Sequence, residues 1–194
     1  LPVPGEVAFN DVTFSYPLPP PGDDRAPAPA TGDGDRAVLR EVFPERIAGQ
    51  GSERIAFAFP AGGWLCLGLD TQLTGEVAGR IDGGQIEWIH EQVRRQRPDA
   101  VALFMHHPPV TLGRAWLDRI GLEGKELLQV LMVEEPRIRL VCCGHVHHES
   151  SHRVGQAEIV TTPSTGLQFS DTSDVPLFVQ APPGYRLIEL SDDG

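Results

Sequence analysis

Five of the seven histidines in this 194-residue chain fall in two short segments, Met105-His106-His107-Pro108-Pro109 and Gly144-His145-Val146-His147-His148. Each directly follows an apolar run, residues 101–104 and 140–143, of the kind that forms a buried strand. In an α/β sheet, functional groups gather beyond the carboxyl ends of the strands. The two segments are therefore expected to share one edge of a sheet. Neutral imidazole is a ligand for zinc, iron and manganese. An extended His145-x-His147 would point two rings to one face, toward one ion or two adjacent ones. Gly144 lets the backbone leave its strand sharply, and Pro108 and Pro109 stiffen the loop that carries His106. A lone loop histidine is usually an ordinary surface side chain. Two clusters at two strand ends read instead as a metal or phosphate site.

The remaining polar candidates are blander. His90 lies on a helix face that also carries apolar residues and reads as structural. His148 and His152 are placed near the mouth of the site with no assigned role. Asp70, after the run ending at Leu69, reads as a turn residue ahead of Thr71. Cys66, Cys142 and Cys143 sit in apolar runs as small core residues, with no disulfide framework and no cysteine-type zinc spacing. Reduced thiols suit a cytoplasmic location. No apolar run approaches the ~18 residues of a membrane span, and no signal peptide is visible. The net charge of -11 argues against a nucleic-acid polymer or an anionic membrane as partner. It does not argue against a small anionic substrate, because a bound cation reverses the local field.

The elements that must position these residues are legible from residue 36 onward. Residues 1–35 differ: eight of the 18 prolines fall in residues 1–30, and residues 17–35 read as a Pro/Gly-rich linker or extension. Ahead of it, Val7, Phe9, Val12 and Phe14 suggest a short strand or two. Residues 36–43 predict a short helix ended by Pro44. Residues 54–59 and 64–69 predict a hairpin through Pro60-Ala61-Gly62-Gly63. Asp82 is positioned to cap a helix from Gly83, with Gln85 at the capping-box position and Pro98 closing it. Residues 100–105, 138–143, 157–162 and 185–190 read as strands. Residues 117–133 read as a helix broken or restarted at 121–124. Alternating strand and helix predicts an α/β layered domain over 36–194.

Taken together, HHPP, GHVHH and TTPST resemble the calcineurin-like metallophosphoesterases, and among them the bacterial cyclic-nucleotide phosphodiesterases. The likeness extends through VLREVFPE (38–45), WLCLGLDTQLTGEVAGRI (64–81), ALFMHHPPVTLGRAWLDRIGL (102–122), VCCGHVHH (141–148), TTPSTGLQF (161–169) and PGYRLIEL (183–190). The resemblance implies a four-layer α/β/β/α sandwich, here incomplete at its N-terminus. It implies a phosphodiester hydrolase with two divalent metals (iron, manganese or zinc) bridged by an aspartate and a hydroxide, acting on a small phosphodiester. Glycerophosphodiesters are the alternative substrates. Carried over by position, His106 and His145 would bind one metal and His147 the other. His107 would serve catalysis from beside the metals or on the substrate phosphate. Asp118 and Arg119 would shape the substrate side.

The departures are as informative. The family opens with Asp-x-His, Gly-Asp and Gly-Asn-His-Asp. Where the last should stand, ahead of VLREVFPE, this chain reads Thr31-Gly32-Asp33-Gly34-Asp35. The implied bridging carboxylate, Asn ligand and catalytic His are absent, so a single bound metal and weak activity, or a catalytically dead remnant, are expected. The chain opens on Leu1, so further residues are expected upstream. Residues 5–17, GEVAFNDVTFSYP, resemble the start of an ABC-transporter nucleotide-binding domain, with Tyr16 at the adenine-stacking position. No Gly-rich phosphate loop follows, so ATP binding is not expected.

Overall fold

The computed structural model describes residues 54–73 and 75–191. The strands expected at 7–14, the linker at 17–35 and the helix at 36–43, and with them Tyr16, Asp33 and Asp35, lie outside the described residues.

Six strands form the main sheet: β1 (Phe57–Ala61), β2 (Trp64–Gly68), β4 (Ala100–Met105), β6 (Ile138–Cys143), β7 (Ser150–Val154) and β8 (Ala157–Thr161). Their spatial order is β1-β2-β4-β6-β8-β7. The four inner strands run parallel, and β1 and β7 close the two sides as antiparallel hairpin arms. Parallel strands buried on both faces need continuous apolar sequence. Ala-Val-Ala-Leu-Phe-Met of β4, in the middle of the sheet, meets that need. The predicted four-residue hairpin connection is shorter than expected. Ala61 pairs with Trp64, so strand β1 absorbs Pro60 and Ala61 and leaves a two-residue Gly62-Gly63 turn.

The two-residue periodicity of the strands divides the core. One face presents Leu65, Leu67, Val101, Leu103, Val141 and Ile159 to helices α1 (Gly83–Gln96) and α3 (Lys125–Glu134). The other presents Trp64, Cys66, Ala100 and Ala102, against which Leu190 packs. The Trp64 indole N–H donates to the Ser191 carbonyl at 2.7 Å. Residues 185–190, predicted as a strand, keep the alternation, with Tyr185, Leu187 and Glu189 exposed. They have no ladder partner among the described residues.

Asp82 caps α1 as expected, accepting from the Gly84 and Gln85 amides. Gln85 does not reach back to close a capping box. Its amide instead exchanges two hydrogen bonds with the backbone of Asp70, tying the start of α1 to the end of β2. Asp70 accepts from the Ile55 and Gln72 amides and is the turn former the sequence indicated. The predicted helix break at 121–124 is present. Helix α2 (Ala115–Arg119) ends, β5 (Leu122–Glu123) pairs with β3 (Gly79–Arg80), and α3 then begins. A final small hairpin joins β9 (Gln168–Phe169) to β10 (Phe178–Val179). No helix among the described residues is long and apolar enough to cross a membrane.

Candidate metal centre

Strands β4 and β6 are neighbours and parallel, so their carboxyl ends emerge side by side. The Gly144 amide continues the ladder by donating to the His106 carbonyl at 3.0 Å. A Cβ at Gly144 would stand 3.3 Å from His106 Nδ1, so only a residue without a side chain fits comfortably against that ring. Pro108 and Pro109 are buried beneath the first loop, and the Pro109 carbonyl accepts from Gln129 of α3.

Three imidazoles converge there. His106, His107 and His145 each offer a nitrogen within 4.8 Å of the others. His145 Nδ1 and His106 Nε2 are 3.3 Å apart. That is about the edge length of a tetrahedron built on 2.0–2.1 Å metal–nitrogen bonds. Burial pushes the pKa of His106 well below its usual value, helped by the positive charge that His107, His145 and His147 would carry. Burial and His107 together take His145 down to about 3. Both rings are therefore neutral near pH 7, the form that donates a lone pair to a cation. His145 Nε2 is buried and makes no hydrogen bond of good geometry among the described residues, with the Ile120 backbone its one polar neighbour that favours a proton on the ring. The two nitrogens that face each other, His145 Nδ1 and His106 Nε2, share at most one proton as they stand, and as two lone pairs at this spacing they suit a divalent cation.

His107 differs from its neighbours because both of its nitrogens are occupied. The buried Thr71 hydroxyl lies 2.8 Å from Nδ1, and Nε2 lies 3.0 Å from the Val77 carbonyl. The arrangement that satisfies both has Thr71 donating to Nδ1 and an Nε2 proton donating to Val77. Gly79 lies flat against the ring, where an added Cβ would fall 2.2 Å from Nδ1. His107 thus pins the 71–79 segment to the site and, so bonded, has no lone pair to spare.

That arrangement gives a first expected result. Thr71→Val should lower the unfolding free energy by about 1–3 kcal/mol, because it strands a buried nitrogen. Thr71→Ser should retain most of the stability. The reading is the urea midpoint. An unchanged midpoint in the valine variant would mean that the hydroxyl does not hold His107.

His147 goes elsewhere. The loop is not the extended His-x-His the sequence suggested. Val146 is fully buried against Trp116 and Leu117 of α2, and His145 and His147 on either side adopt left-handed backbone, with φ of 68° and 53°. His147 is not among the three rings whose nitrogens lie within 4.8 Å of one another. His147 Nδ1 donates to the Leu167 carbonyl at 2.7 Å, and its ring stacks on Phe169 at 4.8 Å. This bond leaves its Nε2 as the nitrogen with a free lone pair. His147 remains close enough that its charge would disfavour protonation of both His106 and His145.

Asp118 braces the loop after Pro109 by accepting from the Leu112 amide at 2.8 Å, and Arg119 is exposed in the last turn of α2. His90 lies in a surface groove near Glu135, and His152 bonds Ser150 within β7. Sequence reasoning missed the Thr71 and Val77 partners of His107 and the Leu167 and Phe169 partners of His147. None of these contacts leaves a periodic or compositional trace.

The chain is similar to several phosphodiesterases. The chain is 30% identical over 154 residues to a 3',5'-cyclic adenosine monophosphate phosphodiesterase of Pseudomonas aeruginosa, covering 79% of this chain and 57% of the relative. It is 34% identical over 142 residues to a probable cyclic nucleotide phosphodiesterase of Synechococcus sp. (strain WH7803), covering 69% and 52%. A glycerophosphodiester phosphodiesterase of Enterobacter lignolyticus is 29% identical over 147 residues, covering 75% and 52%. The chain thus spans about half the length of the curated relatives it matches. A dimetal phosphatase from Danio rerio shares the fold with a TM-score of 0.50 at 15% identity, over 66% of this chain and 56% of that one. No family model matches the chain.

Proposed function

We propose that this chain, a metallophosphoesterase by descent, hydrolyses small phosphodiesters of the cyclic-nucleotide type with a divalent cation held by His106 and His145. The observation that carries this is the pair of neutral imidazole nitrogens 3.3 Å apart at the ends of two adjacent parallel strands. Such a cation lowers the pKa of a water and places positive charge against the phosphoryl oxygens. Iron, manganese and zinc all suit imidazole donors. His147, with Nδ1 tied to Leu167, presents Nε2 as a further ligand. His107 holds the 71–79 segment against the site and lies beside the reacting phosphate. Asp118 acts through the loop it braces, and Arg119 offers a positive charge on the substrate side. Three free cysteines are consistent with a cytoplasmic location.

A second reading rests on one specific observation. Among the described residues, the histidine cluster contains no carboxylate, which favours a remnant that binds metal and turns over slowly or not at all. Hydrolysis of bis(p-nitrophenyl) phosphate, cyclic AMP and a glycerophosphodiester decides between the readings. The expected result is slow, manganese-dependent hydrolysis that prefers cyclic AMP and is abolished by chelation and by His145→Ala. Metal binding with no hydrolysis above the His145→Ala background would leave the remnant. Preference for the glycerophosphodiester would replace the cyclic-nucleotide assignment.

A further inference from the structure

The two residues of β9 turn their side chains opposite ways. Gln168 is buried, and its amide group holds the backbone of residue 164 twice over. It donates to the Ser164 carbonyl at 2.6 Å and accepts from the Ser164 amide at 2.9 Å. Phe169, half-buried, meets His147, and the two rings stack with centroids 4.8 Å apart and planes 29° apart. Phe169 has little freedom to tilt. Phe178, its cross-strand partner, stacks on it at 4.8 Å and 19°, and Trp116 of α2 meets it edge-on at 5.1 Å. The hairpin is in turn fastened at the start of α2. The Trp116 indole N–H donates to the Ser173 carbonyl, and Arg114 Nε donates to the Asp171 carbonyl.

We propose that Phe169 is a positioning residue of the metal centre: stacked on His147, it fixes the plane of that ring and so the direction in which Nε2 is presented to the cation held by His106 and His145. This rests on the reading above, in which His147 is a further ligand. The Leu167 carbonyl, 2.7 Å from Nδ1, selects the nitrogen that carries the proton but restrains the ring at one point only. A ring held at one point still turns about that bond and sweeps Nε2 through an arc. A partner on its face removes the rotation, because stacked rings have a preferred spacing and orientation. The need is particular to His147. His145 is buried and faces His106 at 3.3 Å, whereas His147 is half-buried and lies outside the three-ring cluster. Leu167 and Phe169, on either side of the buried Gln168, act on it together, one through its carbonyl and the other through its ring. A ligand ordered in advance loses less side-chain freedom when it binds.

The test is zinc affinity, read by competition with a chromophoric chelator. Phe169→Leu, which keeps apolar volume and discards the ring, should lower it about tenfold, the lower end of what losing a residue that orients a ligand costs. Phe169→Tyr keeps the ring and should bind zinc like the unaltered chain. His147→Asn, chosen because asparagine tolerates the left-handed backbone at that position, should lower the affinity at least as much. Phe169→Leu added to His147→Asn should cost nothing further, since both act through one ligand. Unchanged affinity in Phe169→Leu, or the same loss with and without His147, would overturn the proposal. Long-range proton–nitrogen NMR of the unaltered chain keeps the test independent of how the variants fold. His147 Nε2 should move to the metal-bound range when zinc is added, and an unmoved resonance would overturn the proposal. Affinity that survives His147→Asn but falls in His145→Asn would overturn it and leave the phosphodiesterase reading standing. Affinity that survives both substitutions would overturn both.

Discussion

Replacing His145 with alanine should lower the affinity of the chain for zinc or manganese by at least about 100-fold, since losing even a residue that only orients a ligand costs 10–100-fold. His145 supplies one of two nitrogens that stand 3.3 Å apart. It is buried, neutral near pH 7 and directly joined to the strand end that carries the loop. Alanine at a left-handed position also carries backbone strain, so His145→Asn serves as the second variant. Asparagine tolerates φ near 68° and removes the imidazole. Competition with a chromophoric chelator reads the affinity, and near-ultraviolet dichroism confirms that the variants fold. His152→Ala, in β7 with its ring bonded to Ser150 of the same strand, should bind metal like the unaltered chain. Unchanged metal affinity in both His145 variants would place the metal somewhere other than this cluster.

The second large effect concerns how many ions the site holds. Two divalent ions ~4 Å apart repel by about 4 kcal/mol even at the dielectric constant of water, and by more where water is partly excluded. Paired-metal sites at this spacing need a negative ligand between the ions to offset that repulsion. The cluster of His106, His107 and His145 is made of neutral rings only. Elemental analysis after dialysis against manganese should therefore find one ion per chain. A single ion leaves either the attacking or the leaving oxygen without a clamp. Turnover of bis(p-nitrophenyl) phosphate at saturating manganese should accordingly fall at least about 100-fold below that of the full-length Pseudomonas aeruginosa relative, a deficit of about 2.7 kcal/mol in barrier. Two bound ions together with rapid turnover that His145→Ala abolishes would mean that a carboxylate such as Asp70, Asp33 or Asp35 completes the site.

Much of the scaffold was legible because it rests on local rules. The runs at 100–105 and 138–143 are too apolar and too short for anything but buried strands, and they are β4 and β6. Asp82 followed by Ile86, Ile89 and Val93 specified α1. The meeting of His106 with His145 followed from parallel neighbours having adjacent ends. What escaped was governed by contacts distant in sequence. The direction of His147 depends on Val146 burying itself against Trp116 and Leu117, about 30 positions earlier, which twists the loop into left-handed turns. The role of His107 depends on Thr71 and Val77, which β3 and β5 hold in place through a two-residue ladder too short to leave a pattern. Gln85 left its capping box because a buried amide gains more from two backbone bonds to Asp70 than from an exposed cap.

The order of the main sheet also bears on how the protein avoids its own kind. A parallel strand left at a margin offers a row of unpaired amides and carbonyls to any passing chain. Here, among the described residues, neither margin is a parallel strand. One is β1, whose Pro60 has no amide to donate, and the other is β7, whose Ser150, Ser151, His152 and Arg153 make a polar and partly charged fringe. The strands that end at His106 and His145 lie two places in from β1 and two from β7. Strand exchange or fibril growth would have to strip a hairpin arm before it could touch the histidine loops. The geometry of the histidine cluster is in this way insulated from self-association by the two hairpin arms at the margins of the sheet.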